Sequence, residues 1–229
     1  MAIRLRLTTL VVASTFALVG CGGGSDAKDD VSDLSATALL AKAKKVVAAE
    51  ESVTIEGDGV DDGTEIAIDM SYSGDTASGT IAVDGAEFQL LGADGKAYFK
   101  ATDDFYRASA GEAAEQIIAL IDGRWVLADP ANPDFADLAS FVSKKDFFGE
   151  LLKPDGKVTK GKGKTIDGVE CVALKDDSNG TFYFAKDDGR PISLISTGDD
   201  GGTMTFSYDD VEEALAPTAE EIVDLAELG

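Results

Sequence analysis

Two long blocks of this chain alternate apolar and polar residues with a period of two, and no other feature limits the possible fold as much. In the first block Val53 and Ile55 oppose Thr54 and Glu56, while Ile66, Ile68, Met70 and Tyr72 oppose Glu65, Asp69 and Ser71. Ile81 and Val83 continue the series against Thr80, Ala82 and Asp84. Turn pairs such as Asp58-Gly59, Gly74-Asp75 and Asp84-Gly85 break it, so the block predicts consecutive antiparallel strands with one apolar face and one wet face. Residues 86–91 and 96–101, joined at Asp94-Gly95, add two strands. The pattern returns after residue 157 and predicts five more, over 158–164, 169–174, 181–184, 192–197 and 203–208.

Helical spacing flanks and interrupts the two blocks. Leu39, Ala43, Val46 and Val47 fall on one stripe within 34–50, an amphipathic helix. Ser109 and Glu112 have the spacing of a capping box ahead of Ala114, Ile117, Ile118 and Ile121, which predicts a helix over 111–121. Residues 124–128 read as a short strand. Phe135, Leu138, Phe141 and Val142 predict one short helix, and Ser143 to Asp146 offers a cap for another over 147–152. Thr218 and Glu221, after Pro217, open a last helix. Nothing alternates strand, helix and strand as a parallel sheet would. The helices alone are available to cover the apolar face of a large antiparallel sheet, so the class is α+β.

The N-terminus assigns a compartment. Arg4 and Arg6 precede an apolar run, Leu7 to Val19, shorter than the roughly 20 residues a membrane helix needs but suited to a secretory signal. The run closes on Leu18-Val19-Gly20-Cys21, which resembles the lipobox of bacterial lipoproteins. That resemblance implies cleavage before Cys21, a diacylglyceryl group on its sulfur and often a third acyl chain on its amine. Two or more chains anchor stably, because each buried CH2 contributes about 0.8 kcal/mol. Two alternatives stay open: an ordinary signal peptide, and a disulfide from Cys21 to Cys171. Otherwise Cys171 reads as a small apolar side chain inside a strand. The expected division is a signal peptide over 1–20, the acylated cysteine and a Gly-, Ser- and Asp-rich tether over 21–33, and one domain over 34–229. Such a protein sits on the outer face of the bacterial cytoplasmic membrane.

A formal net charge of −23 repels phosphate backbones, which excludes nucleic acid as a partner. It also repels anionic headgroups, so the folded part is expected to stand off the bilayer. The chain contains no histidine, which removes Ser-His-Asp and Cys-His catalysis together with imidazole acid–base chemistry. The only Ser-x-x-Lys spacing, Ser25 to Lys28, lies in the tether, and Gly163-Lys164-Thr165 lacks the earlier glycine of a P-loop because that position is Val158. No enzymatic activity, cofactor or metal is expected. The acidic turns match plain turn chemistry and not a calcium loop. Lys157, Lys160, Lys162 and Lys164 alternate along one strand. They either touch anionic headgroups or envelope polymers, or discourage edge pairing and offset nearby acids.

Read end to end, the acylated cysteine, the tether, an Ala-rich helix running into SVTIEG, then KAYFKA, GRWVLAD, TFYFAKDDGRPISL, MTFSYDD and a closing APTAEEIVDL resemble the LppX/LprAFG lipoproteins of actinobacteria, within the wider LolA/LolB-like group. The resemblance spans nearly the whole mature length. It implies a large, strongly curved antiparallel half-barrel, with helices packed on the concave face and an acyl-chain lipid between the two layers. Candidate lining residues for that cavity are Ile66, Ile68, Met70, Ile81, Val83, Ile117, Ile118, Phe141, Phe182, Phe184, Met204 and Phe206. The same side chains serve equally well as a solid core. The expected function is therefore to bind or carry a lipid, glycolipid or lipidated molecule, with a possible envelope protein partner. The rival is an interaction or sensor module with a filled core.

Overall fold

The computed structural model describes residues 30–61, 63–128, 138–154, 156–176, 180–197 and 201–224; the lipobox, Cys21 and Phe135 lie outside them. The first alternating block forms β1 (Ser52–Asp61), β2 (Thr64–Ser73), β3 (Thr76–Val83), β4 (Ala86–Ala93) and β5 (Lys96–Ala101), followed by a short β6 (Trp125–Ala128). The second forms β7 (Val158–Ile166), β8 (Val169–Asp176), β9 (Gly180–Ala185), β10 (Pro191–Ser196) and β11 (Gly202–Ser207), and the chain adds β12 (Ile222–Val223) near its end. All belong to one open sheet of order β12-β6-β5-β4-β3-β2-β1-β11-β10-β9-β8-β7. The sheet is therefore two meanders joined by the antiparallel pairing of β1 with β11, where Ile55 meets Phe206 and Gly57 meets Met204. The only parallel pairing among the described strands joins β12 to β6. At Asp84-Gly85, Asp94-Gly95 and Asp167-Gly168 both residues have positive φ, the backbone that two-residue hairpins between right-twisted strands demand.

Because β6 lies toward one edge and β7 forms the other, the chain between them crosses the full width of the sheet. That crossing carries a helical turn at 138–141 and α4 (Lys144–Leu151), which pack on one face together with α1 (Ala36–Ala49). In α1, Ser35 Oγ accepts from Ala38 N at 3.2 Å, and Leu39, Leu40, Ala43 and Val47 are the buried stripe. The helices meet a sheet face carrying Val53, Ile55, Met70, Tyr72, Leu90, Phe99 and Val126, all in one buried cluster with Phe148 and Leu152. Each such side chain contributes about 1.5–3 kcal/mol when fully buried. α1 and α4 also clasp each other. Lys144 Nζ donates to the Glu50 carbonyl at 2.6 Å and Lys44 Nζ to the Gly149 carbonyl at 2.8 Å, so each lysine satisfies a carbonyl left over at the other helix's C-terminus.

Three expectations need correction. Ser109 does not cap a helix start: it is the last residue of α2 (Asp103–Ser109), which the sequence reading missed, and its Oγ donates to the Phe105 carbonyl at 2.8 Å. Thr102 supplies the cap instead, with Asp103 and Asp104 in the first turn, and Arg107 ties Asp104 to Glu115 at 3.1 and 2.9 Å. The predicted helix over 111–121 is consequently split into a 3-10 turn, Gly111–Ala113, and α3 (Ala114–Ile121). The closing helix is replaced by a 3-10 turn, Ala219–Glu221, that runs into β12. The Thr218–Glu221 capping box does form, with the Glu221 carboxylate held low in pKa by the Thr218 backbone and hydroxyl, but β-branched Ile222 and Val223 pair with β6 in place of continuing the helix.

The third correction concerns the outer face, which is not uniformly wet. Residues 208–218 run back from β11 over that side, held by Ser73 Oγ donating to the Val211 carbonyl at 2.7 Å, Val211 N to Ser52 Oγ at 3.2 Å and Ala214 N to Thr76 Oγ1 at 3.0 Å. The path from Thr76 to β6 passes β4 and β5, whose outward Leu91 and Tyr98 are buried.

Tyr72 links sheet and crossing. It is fully buried on β2, and its hydroxyl donates to the Phe141 carbonyl at 2.6 Å. Burial pushes its pKa well above the ordinary 10.0, and Tyr208 shifts the same way. A raised folded-state pKa means only the unfolded chain releases the proton once pH exceeds about 10, so stability is intact below that value and is lost above it. Urea unfolding should show a loss of about 1.4 kcal/mol per pH unit above pH 10 from Tyr72 alone. Tyr72→Phe should reduce that slope while removing about 1 kcal/mol at neutral pH. An unchanged slope in the variant would contradict the burial of this phenol.

Candidate functional site: a cleft at the β2–β5 end of the sheet

On the helix-facing side the strands present registered rows. One row runs Val53, Tyr72, Ala77, Gly92, Ala97 and Ala128, across β1 to β6. Past Tyr72 it contains only small side chains, so the sheet leaves space between itself and the crossing chain at that end. Val142 presses close over Gly92, where an added Cβ would lie 2.8 Å from the Val142 Cβ. Beside this contact opens a cleft of about 1240 Å³. It is bordered by Val47 and Ala48 of α1, by Ala97 and Ala128 on the helix-facing side of the sheet, by Ala139, Val142 and Phe148 of the crossing, and at the sheet's end by Ala93 and Leu127, which face the other side; Val47, Ala93, Ala97, Ala128 and Phe148 are themselves buried.

Charge gathers at the mouth. Lys44, Lys96, Lys144 and Lys145 stand among Glu50, Glu51, Asp75, Asp146 and Asp224, so the rim is mixed in sign and favours neither a free anion nor a free cation. Lys44 and Lys144 are committed to the helix carbonyls of the α1–α4 clasp. The cleft therefore offers an apolar interior behind an amphoteric rim. No group of three or more carboxylate or cysteine ligands suited to a metal occurs among the described residues.

None of the twelve candidate lining residues borders this cleft. Ile68, Met70, Ile81, Phe182, Phe184 and Phe206 belong to the buried core, with Met70 and Phe184 fully covered. Ile117, Ile118, Phe141 and Met204 are half-buried against that core, Ile66 is half-buried, and Val83 is 37 % exposed beside the β3–β4 hairpin, at the end of the sheet away from the cleft. The residues that make the cleft are the small ones, Gly92, Ala97 and Ala128. They hold inward positions of the same alternation that carries Leu90, Phe99 and Val126. A search for large apolar side chains passes over them, and within each strand their inward neighbour is large, Leu90, Phe99 or Val126, so the sequence carries no local signal for the row. Cys171 is a buried free thiol on β8, its pKa raised by burial and its Sγ donating to the Val169 carbonyl at 3.4 Å.

No protein-family model matches the chain, and no curated protein matches it. Among solved structures, the lipoprotein LppX from Mycobacterium tuberculosis is 15 % identical, with 79 % of this chain and 100 % of that one covered at a TM-score of 0.44. An uncharacterized protein from Thermus thermophilus is 9 % identical, over 82 % of this chain and 98 % of that one, at 0.42. LprF from Mycobacterium bovis is 14 % identical over 79 % of this chain and 96 % of that one, at 0.51. An open antiparallel sheet with helices against one face, matched over almost the full length of LprF, gives the chain the fold of that mycobacterial protein.

Proposed function

We propose that this chain is a non-enzymatic envelope lipoprotein, anchored through Cys21, that binds or carries a lipid or lipidated molecule in the cleft between the β2–β5 hairpins and the α1–α4 pair. The observation that carries this reading is the apolar cleft of about 1240 Å³ over a floor of small side chains, above the roughly 300–1,000 Å³ of ordinary ligand pockets and so suited to a long acyl group. The mixed rim keeps a polar head solvated while the walls take the chain.

Ala97→Phe tests it. The ring projects into the cleft from β5, where open space would accept it at a cost below about 1 kcal/mol; a close-packed site would lose about 1–3 kcal/mol. The expected result is copurifying acyl lipid in the wild type, shown by mass spectrometry, and its loss from a variant of near wild-type stability. Anchoring is checked separately: Cys21→Ala should leave the precursor unprocessed or unacylated, whereas intact mass showing a free or disulfide-bonded Cys21 in membrane-derived protein would refute it. A second reading, an interaction or sensor module, is favoured by the complete burial of Ile55, Met70, Tyr72 and Phe184, which fills the centre of the helix-facing side. A wild-type domain with no copurifying lipid and no uptake of a fluorescent fatty acid would leave that reading standing.

A further inference from the structure

The lysine strand and the point where the tether joins the fold turn out to be neighbours. Val31 N donates to the Lys186 carbonyl at 2.9 Å, Asp30 lies 3.7 Å from Lys186 Nζ, and the Ser32 carbonyl accepts from Lys160 Nζ on β7. β7 is an edge of the sheet and is exposed along Thr159 to Thr165. Its lysines flank both faces of that edge. Lys160 reaches the Ser32 side, whereas Lys164 lies 4.3 Å above the Tyr183 ring on the other. Among the described residues none of Lys157, Lys160, Lys162 and Lys164 is paired with a carboxylate. Of the acids near this strand, Asp30 and Glu170 are both engaged by Lys186, at 3.7 and 3.5 Å, while Asp176 lies opposite Val158, Asp167 sits in the β7–β8 turn and Asp33 follows Ser32.

We infer that the β7 edge docks on the anionic headgroups of the membrane that holds the anchor. The inference rests on the proposed acylation of Cys21. Only eight residues separate Cys21 from Asp30, so the junction beside β7 can stand at most about 30 Å from the acylated sulfur. Of the whole sheet, β7 is the edge the tether holds to the bilayer. The overall charge of −23 does not forbid the contact, since charges more than about 8–10 Å away are screened at physiological salt and the lysine fringe is what meets the surface first. The same lysines keep the edge from pairing with another strand.

The test uses acylated, membrane-derived protein reconstituted into vesicles of neutral phosphatidylcholine, or of phosphatidylcholine with about 30 % phosphatidylglycerol. A brief, sub-stoichiometric acetylation, read by mass spectrometry, reports the accessibility of each lysine. Lys157, Lys160, Lys162 and Lys164 should label at least about threefold more slowly on the anionic vesicles, and the difference should vanish near 0.5 M salt. Lys45 and Lys96 should not change. Replacing Lys160, Lys162 and Lys164 by Gln should abolish the difference measured at Lys157. Equal labelling on both vesicle types, or equal protection of Lys45 and Lys96, would overturn the docking while leaving the anchor intact. Failure to remain on neutral vesicles would refute the anchor; retention by the anionic vesicles alone would then still support the docking edge, and loss from both would overturn it.

Discussion

Gly79→Ala should cost this fold about 3 kcal/mol or more, because the position has no room for one methyl group. Gly79 lies in the middle of β3, paired with Met70 on β2 and Leu90 on β4. An added Cβ would overlap the Asp69 carbonyl oxygen and lie 2.7 Å from both the Cα and the Sδ of Met70. Two of these three atoms are backbone of the neighbouring strand, and Met70 is fully buried, so none can withdraw without disturbing the β2–β3 pairing. Glycine inside a strand often marks such a close approach. Gly85→Ala provides the contrast, since it meets nothing within 4 Å and adds only the strain of its φ of +79°, about 1–2 kcal/mol. Urea titration of both variants checks the pair. A Gly79→Ala protein within 1 kcal/mol of wild type would mean that Met70 does not fold across β3 as described.

Phe148→Ala should cost about 3–5 kcal/mol, the range for deleting a buried aromatic ring. Phe148 is 3 % exposed on α4 and stands at the centre of the aromatic packing between crossing and sheet. Its ring centroid lies 5.4 Å from Phe147, 5.8 Å from Phe206 on β11 and 6.3 Å from Tyr72 on β2. Through those contacts one side chain ties both meanders to the helix layer. Phe148 also borders the cleft, so its loss should widen the ligand space as it weakens the fold. Half-buried Phe147 should cost clearly less when truncated. Thermal and urea unfolding rank the two, and equal losses would show that α4 is not docked through Phe148.

Much of this architecture is written locally. Ile66, Ile68, Met70 and Tyr72 share one face because a strand alternates its side chains, and Asp84-Gly85, Asp94-Gly95 and Asp167-Gly168 turn between strands because both residues take positive φ there, whereas Asp58-Gly59, expected as a turn, pairs within β1. The cap at Ser143 is likewise local and forms, its Oγ accepting from Asp146 N at 3.3 Å. Where two local signals compete, the sequence is ambiguous. Ser109 had the spacing of a cap, yet Thr102 with two following aspartates made the better helix start and drew Ser109 into the end of α2.

By itself, then, the sequence determined the strands, most of their turns, and the faces they present, since each depends on residues within a few positions of one another. Tertiary structure alone decided the rest. The pairing of β1 with β11 brings together residues about 150 positions apart, and β12 exchanged an expected helix for a place beside β6. Packing also settled which apolar residues fill the core and which leave space. Met70 and Phe184 became solid interior, while the cleft arose where Gly92, Ala97 and Ala128 fell into one row across three strands. Each of those residues is unremarkable within its own strand. Only the register that sets them side by side makes an opening, and register between distant strands is fixed by the whole set of contacts.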